Sequence, residues 1–406
     1  MKLLSFLNSK NEERLGFWFN QKTYDLQNCA QAQSLTLPST MNAFLQNFDT
    51  NLKVAHTVQA ACQTGNCQNK AEDPHHIKPL APVPHPPSCR DAYAFRQHVA
   101  AARRNRGTDM IAEFDQFPIF YFTNHNAIVG EGTVTFEKDH FEKLDFELEA
   151  AIVIGKAGKN IEAKDADAFI AGLTIMNDFS ARQLQMEEMK MNLGPAKGKD
   201  FATAIGPWLV TLDELEPYIQ KTPQGMQFNL KMTAFHNEKQ VSSGNLKEMT
   251  YTFSEIIERC SYGVNLYPGD VIGSGTVGTG CYMELNGTWA RQAKEQGKPF
   301  TPVWLNPNDV IELEISSLTE RILPGKEPKK EIRKITVGKD APIVKVDLTM
   351  PPSPIIGPEG VPVGPEEKKI PLSDLKVGDT VTAEAAENIK TKQEFNAVKV
   401  SLLVLP

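Results

Sequence analysis

The run Leu144-Asp-Phe-Glu-Leu-Glu-Ala-Ala-Ile-Val-Ile154 constrains this chain more than any other segment. Side chains alternate between the two faces of a strand, so Asp145, Glu147 and Glu149 share one face while Phe146 and Leu148 share the other. Three like charges in a row repel one another, and where such a face is buried they require a cation. Oxygen donors at this spacing suit Mg²⁺ or Ca²⁺, with Mn²⁺ a third candidate, and no histidine or cysteine ligand for zinc lies nearby in sequence. The plainer alternative is an antiparallel strand with one solvated face.

A second acidic segment is Ile175-Met-Asn-Asp-Phe-Ser-Ala-Arg-Gln-Leu-Gln185, where an apolar strand gives way to a helix at Asp178. Ser180 and Gln183 have capping-box spacing. Arg182 and Gln185, three apart, share a helical face from which both reach a ligand held by Asp178. The alternative is that Asp178 caps the helix and pairs with Arg182. The stretch Gly273-Ser-Gly-Thr-Val-Gly-Thr-Gly280 matches the dinucleotide pattern G-x-G-x-x-G, but that reading needs a helix next. The following residues, Met283 to Leu285, read as a short strand closed by a turn at Asn286-Gly287. A tight loop carrying Thr276 toward a substrate fits better. His75, His76 and His85 lie among prolines and read as linker residues.

Along the chain, a small β-meander covers Arg14 to Leu26, a helix runs near Met41 to Phe48, and prolines crowd Pro74 to Pro87. A helical pattern runs from Asp91 to Gly107. Strands follow at Ile119–Phe122, Phe146–Ile154, Gly206–Val210, Gln227–Phe235, Val271–Ser274, Met283–Leu285 and Val310–Ile315, with helices opening near Ser180 and at Ser254–Cys260. After Leu323 the character changes: Lys326, Lys329 and Lys330, a Pro/Gly-rich stretch Pro351–Pro365, and a final β pattern around Leu375-Lys-Val-Gly-Asp-Thr-Val381. Strands in this mixture with few helices predict an α+β, mainly β architecture.

The formal net charge of −7, from 43 basic and 50 acidic residues, argues against general nucleic-acid binding. No segment has the roughly 20 apolar residues of a membrane span, and Met1–Asn8 is too short for a secretory signal. Six irregularly spaced cysteines predict a reduced, cytoplasmic protein, a local Cys62–Cys67 bridge being the alternative.

Taken together and in order, Asp91-Ala-Tyr-Ala-Phe-Arg-Gln-His98, Asp145-Phe-Glu-Leu-Glu149, Met176-Asn-Asp-Phe-Ser-Ala-Arg-Gln-Leu-Gln185, Leu193-Gly-Pro-Ala-Lys-Gly-Lys199, Gly273-Ser-Gly-Thr276 and Met283-Glu-Leu285 resemble the motifs of the fumarylacetoacetate hydrolase family. The resemblance implies a small N-terminal β domain and Pro-rich linker over 1–80, a mixed β-roll catalytic domain over 85–322, and a C-terminal β appendage of unread role over 323–406. It implies metal ligands at Asp91, Glu147, Glu149 and Asp178, with Lys199 and Thr203 completing that end of the site. His98 matches the catalytic base and Glu284 the carboxylate that orients it. Arg182, Lys199 and Gln185 join the catalytic set, the last two as donors to an oxyanion. Tyr93, Tyr121, Gln185 and Thr276 match substrate-contacting positions, while Asp145 keeps a structural role.

The expected function is that of a hydrolase acting on carbon–carbon bonds in ketonic substances, as in aromatic amino acid catabolism. The substrate is a small β-diketo acid, fumarylacetoacetate-like or an acylpyruvate. His98 and Glu284 activate water, and the leaving group departs as a metal-bound enolate. The partners implied are this keto acid and, in a homodimer, a second copy, with neither nucleic acid nor membrane. The specificity shell departs from the animal-type enzymes: Met189 replaces a tyrosine, Phe122-Thr-Asn-His-Asn126 follows Tyr121, and of Arg103, Arg104 and Arg106 none matches the arginine offered to the substrate carboxylate. The alternatives are a family decarboxylase or isomerase acting on a 2-oxo acid and, from another class, a non-catalytic metal- or ligand-binding protein.

Overall fold

The structure is a computed structural model of the chain. It describes residues 1–63, 67, 71–73 and 76–319, together with the backbone of strands at 334–337, 343–347, 367–369, 381–384, 394–397 and 399–404. Pro74, His75, the lysines from Lys326 to Lys330, Pro351–Pro365 and Leu375–Thr380 lie outside the described residues. The chain divides into two compact units, Met1–Arg321 and Ile322–Pro406. In the second, Glu367–Lys369, Ile343–Asp347, Lys399–Val404 and Val381–Glu384 form a four-stranded sheet in that order, and Lys334–Val337 pairs with Glu394–Ala397.

The first unit is built on a large mixed sheet. Its main strands are β1 (Lys2–Leu7), β2 (Glu13–Phe19), β3 (Lys22–Asp25), β4 (Cys89–Ala92), β5 (Phe120–Thr123), β6 (Leu148–Ile154), β7 (Ile170–Asp178), β8 (Thr203–Thr211) and β9 (Val271–Gly273), with the short strands Lys78–Pro79 and Ile128–Val129 pairing with β1 and β8. Their spatial order is β3-β2-β1-β8-β7-β6-β9-β4-β5. Along this path β9 and β4 run parallel and the other neighbours antiparallel. The N-terminal strands continue this sheet through the β1–β8 pairing, so the boundary expected near residue 80 is bridged by hydrogen bonds.

Both faces of the central strands are covered, and every residue of β6 and β7 is buried. Leu148, Ala150, Ile152 and Ile154 enter one core with Leu173 and Ile175. Ala151 and Val153 enter the other with Met176, Cys89 and Val271. This double burial explains the unbroken apolar run after Glu149 and removes the alternative of a solvated face. By the same alternation Glu149, Asp178, Asp91 and Gly273 extend the rows of the second face.

Three local expectations are corrected. Asp91 lies on β4, and the helix α1 starts only at Arg96 (Arg96–Asn105). Asp91, Tyr93 and Phe95 alternate as well as they fit a helical face, and pairing with β9 decides for a strand. No Ser180–Gln183 capping box forms, because Ser180–Ala181 pairs with Leu144–Asp145 and helix α2 spans Arg182–Glu188. Met283–Leu285 is not a strand but the first turn of the 14-residue helix α3 (Tyr282–Glu295). Three residues are too few to separate the two periods, and a distant carboxylate settles the matter: Asp145 accepts from the backbone N–H groups of Tyr282 at 2.7 Å and Met283 at 2.9 Å. Gly287 is therefore a packing position and not a turn. A Cβ there would lie 2.7 Å from Asn105 Cβ, so glycine lets α3 approach α1 closely.

Helices also occupy Met41–Leu45 and Phe48–Gln63 where one was expected, and Phe253–Ser261 near its expected place. Cys62 is bonded to Cys67, which corrects the fully reduced reading. The compartment argument describes a chain's average, whereas two cysteines five apart close a loop at little entropic cost. His76 and His85 are exposed and pair with Asp73 and Glu13. Among the described residues, no helix is long and apolar enough to cross a membrane.

Candidate active site

Asp91, Glu149 and Asp178 come from three strands and offer one oxygen each within 4.8 Å of one another, all buried. Strands β6 and β4 are not neighbours: β9 lies between them, which sets their backbones about 10 Å apart. Their carboxylates meet because the intervening strand ends in glycine. A Cβ at Gly273 would stand 2.5 Å from Asp91 Oδ1 and 3.1 Å from Glu149 Oε2.

The hydrogen bonds at this cluster are incomplete. Gly275 N donates to Asp91 Oδ1 (3.1 Å) and Thr276 Oγ1 to Glu149 Oε1 (3.2 Å). Tyr121 Oη donates to Asp178 Oδ2 at 2.5 Å, and Lys199 Nζ to the same oxygen at 2.6 Å. Glu149 Oε2 and Asp178 Oδ1 are buried without a donor. Burial, and then the charge of Asp178, push Asp91 up to about 7. Burial and Asp91 push Glu149 well above the carboxylate range, and burial raises Asp178. Two unpartnered oxygens among three carboxyls that resist ionising together fit a hard divalent cation, Mg²⁺, Mn²⁺ or Ca²⁺. With no cation bound, carboxyls packed this closely cannot all ionise, and a cation displaces the proton they retain.

Glu147 stands apart from this cluster. Its oxygens are taken by Arg182 Nη2 (2.6 Å) and by Lys199, while its N–H donates to Asn177 Oδ1 (3.0 Å). Burial alone would raise its carboxyl, but Arg182 and then Lys199 hold it below the ordinary range. The four expected ligands thus divide into three that converge and one held by cations. Lys199 is corrected from metal ligand to counter-charge. Against the effect of burial, Asp178 and Glu147 keep its ammonium protonated, and an ammonium has no lone pair to give.

Arg182, which is 2 % exposed, is likewise a clamp and not a group facing substrate. It donates to Asp145 (2.9 Å), Glu147 and Gln185 Oε1 (2.9 Å), and this rules out the alternative in which it pairs with Asp178. By fixing the Gln185 oxygen it leaves the Gln185 NH₂ to donate elsewhere. Thr203 is buried directly across the strand pair from Asp178.

His98 on α1 and Glu284 on α3 meet through the close approach at Gly287. His98 Nδ1 lies 2.7 Å from Glu284 Oε2, and Glu284 Oε1 accepts from Thr279 N at 3.0 Å. An ionised Glu284 places the imidazole proton on Nδ1 and leaves the Nε2 lone pair available. Tyr93 packs edge-on against His98, and burial and then Glu147 push its phenol up to about 12, so it stays a neutral donor. The glycine-rich loop leads into α3 after all, but Asp145 already occupies the amides where a pyrophosphate would sit.

A pocket of about 220 Å³ opens beside this cluster, lined by Tyr121, Phe122, Pro195, Ala196, Lys199 and Asp200 among others. Met189 follows α2 and is half-exposed. Sequence reasoning missed Asn177 and Thr279. Both lay inside quoted stretches, Asn177 adjacent to Asp178 and Thr279 in the glycine-rich loop, but the role of Thr279 carried no signal before α3 was placed.

Residues 88–323 match the family model described as fumarylacetoacetate (FAA) hydrolase C-terminal. The fumarylacetoacetase of Arabidopsis thaliana is 33% identical over 199 residues, which covers 42% of this chain and 47% of that one, so the chain spans about half the length of that relative. The mitochondrial oxaloacetate tautomerase of Homo sapiens is 31% identical over 285 residues, 70% of this chain and 78% of that one. Among solved structures, maleylpyruvate hydrolase from Sphingobium sp. SYK-6 in complex with manganese(II) and pyruvate superposes with a TM-score of 0.53 at 19% identity, covering 79% of this chain and 96% of that one. A fumarylacetoacetate hydrolase from psychrophilic Exiguobacterium antarcticum gives 0.52 at 21% identity, covering 78% and 96%. These two show a shared fold.

Asp91 in the folded state sits above its ordinary 3.8, so without a cation the folded chain holds more protons than the unfolded one between about pH 4 and about pH 7, and stability falls as pH rises across that window. Stabilisation by Mg²⁺ or Mn²⁺ is therefore expected to grow over the same window, with protons released on binding at about pH 6. Calorimetry in buffers of different ionisation enthalpy measures the release, and a cation-induced rise in melting temperature that shrinks from about pH 5 to about pH 7 would contradict it. Gly273→Ala is expected to weaken cation binding about tenfold or more by forcing Asp91 and Glu149 apart; unchanged affinity in a folded variant would disprove the packing argument.

Proposed function

The chain belongs to the fumarylacetoacetate hydrolase family, and from that premise we propose that it is a divalent-cation-dependent hydrolase cleaving a carbon–carbon bond in a small β-diketo acid or acylpyruvate. The observation that carries the reading is the buried His98–Glu284 pair at 2.7 Å, beside the carboxylate cluster.

Hydrolysis of a β-diketone needs an activated water, charge stabilisation at the attacked carbonyl, and an acceptor for the electrons of the broken bond. His98 Nε2 takes the proton from water while Glu284 stabilises the resulting imidazolium. Asp91, Glu149 and Asp178 would hold the divalent ion, which supplies Lewis-acid polarisation of the diketone oxygens when bound. Tyr121 and Lys199 stand between this cluster and the pocket, and the NH₂ of Gln185 is the donor suited to a developing oxyanion. A proton delivered by the imidazolium completes the departing ketone. The exposed Phe122 on the outermost strand β5, with the exposed Ile119 just before it, supports a homodimer in which a second copy covers them.

The relative named oxaloacetate tautomerase supports a second reading, in which His98 moves a proton between carbon and oxygen without attack by water. Fumarylacetoacetate, fumarylpyruvate, acylpyruvates and oxaloacetate, assayed with and without Mg²⁺ or Mn²⁺ and with products resolved by mass, separate the two. The expected outcome is two acid fragments from a diketo substrate, lost with chelator and reduced about 10²- to 10⁴-fold in His98→Ala. An isomeric product of unchanged mass would favour the tautomerase, and full turnover by His98→Ala would sink both.

A further inference from the structure

We propose that His236 and Asp309, acting through Tyr282, are positioning residues for the His98–Glu284 pair. Glu284 has both oxygens committed, Oε2 to His98 Nδ1 and Oε1 to the N–H of Thr279. Its aim therefore depends on what holds Thr279 on one side and the first turn of α3 on the other. One hairpin holds both: Lys231–His236 paired with Lys239–Asn245.

The hairpin turns at Asn237-Glu238, with φ of 48° and 68°, the left-handed pair of a tight two-residue connection. Strand Ile311–Ile315 pairs along the other edge of Lys231–His236, with Ile311 opposite His236. Asn237 locks the entry to that strand, because its Nδ2 donates to Asp309 Oδ1 (2.8 Å) and its Oδ1 accepts from Val310 N (2.8 Å). Asp309 Oδ2 then lies 2.9 Å from His236 Nε2, and His236 Nδ1 lies 2.6 Å from Tyr282 Oη. Burial, and then Asp145, push the Tyr282 phenol above its ordinary range, so it is the donor. Against the effect of burial, Asn237 and the N–H of Asn306 hold Asp309 below the ordinary carboxylate range. The carboxylate takes the proton on Nε2, which leaves the Nδ1 lone pair to Tyr282. The buried Tyr282 ring packs edge-on against Phe146, two residues before Glu284 on the same helical turn. On the other side, Thr279 stands at φ 68°, which a β-branched residue rarely adopts. Its hydroxyl donates to Ser243 O at 3.3 Å and lies 3.1 Å from Ser242 Oγ, both on the second strand of the hairpin. These contacts hold the peptide whose N–H reaches Glu284 Oε1. The consequence for rate, though not the positioning itself, rests on the reading of His98 as the base.

Tyr282→Phe deletes the hydroxyl and keeps the packed ring. In the Mn²⁺-saturated protein it is expected to lower kcat about 10- to 100-fold with KM unchanged, the effect of a base held slightly out of place. His236→Leu should match it, and the double variant should be no worse than either, because both changes break one chain of bonds. His236→Asn, whose amide stands where Nδ1 does, should recover most of the loss. A second readout needs no substrate: the Nδ1 proton that His98 shares with Glu284 gives a far-downfield proton magnetic resonance, absent from His98→Ala. It is expected to move or broaden in Tyr282→Phe and His236→Leu and to return in His236→Asn. An unmoved resonance in both folded variants would overturn the positioning, whatever the rate. A moved resonance with full turnover would uphold it and overturn instead the reading of His98 as the base.

Discussion

Asp91 and Glu149 approach each other across the space that a side chain at Gly273 would fill, and Asp178 joins them, all buried between packed strands. Two unit charges about 4 Å apart at an effective dielectric of about 20 repel by about 4 kcal/mol. Three such pairs approach the whole stability of a domain, about 5–15 kcal/mol. The fold therefore cannot leave all three ionised without a compensating cation. Lys199 supplies part of the compensation through Asp178 but does not reach the unpartnered Glu149 Oε2. That oxygen and Asp178 Oδ1 are where a divalent ion is needed.

A second balance of charge adjoins the first. Arg182 is buried between Asp145 and Glu147, and Asp145 in turn holds the first amides of α3. Glu284 sits in the first turn of that helix and holds His98. One connected set of bonds thus runs from a strand carboxylate through an arginine and a helix N-terminus to the imidazole. Removing one partner from such a buried network exposes the full cost of the others, which is why Arg182 and Asp145 matter to the geometry without facing substrate.

The parts of the site legible in the sequence were those written in local spacing. The alternation through Asp145, Glu147 and Glu149 marked a strand and predicted a need for a cation, and the strand-to-helix change marked Asp178. What the spacing could not show was set by partners far away in the chain. Asp91 reads as helix until β9 pairs with it. Met283–Leu285 reads as strand until Asp145 caps it, and Gly287 reads as a turn until Asn105 packs against it. Arg182 looked like a ligand-facing residue because its helical face was visible and its two buried carboxylates were not. The division of the acidic ligands into three and one also depends on Arg182 and Lys199, and no single segment contains it.

Anomalous diffraction from crystals soaked in Mn²⁺ tests the central claim most directly. The account predicts a peak bounded by Asp91, Glu149 and Asp178, within coordination distance of Glu149 Oε2 and Asp178 Oδ1, and its loss in Asp178→Asn. A folded protein showing no peak there at saturating Mn²⁺, or a peak confined to surface carboxylates, would contradict it.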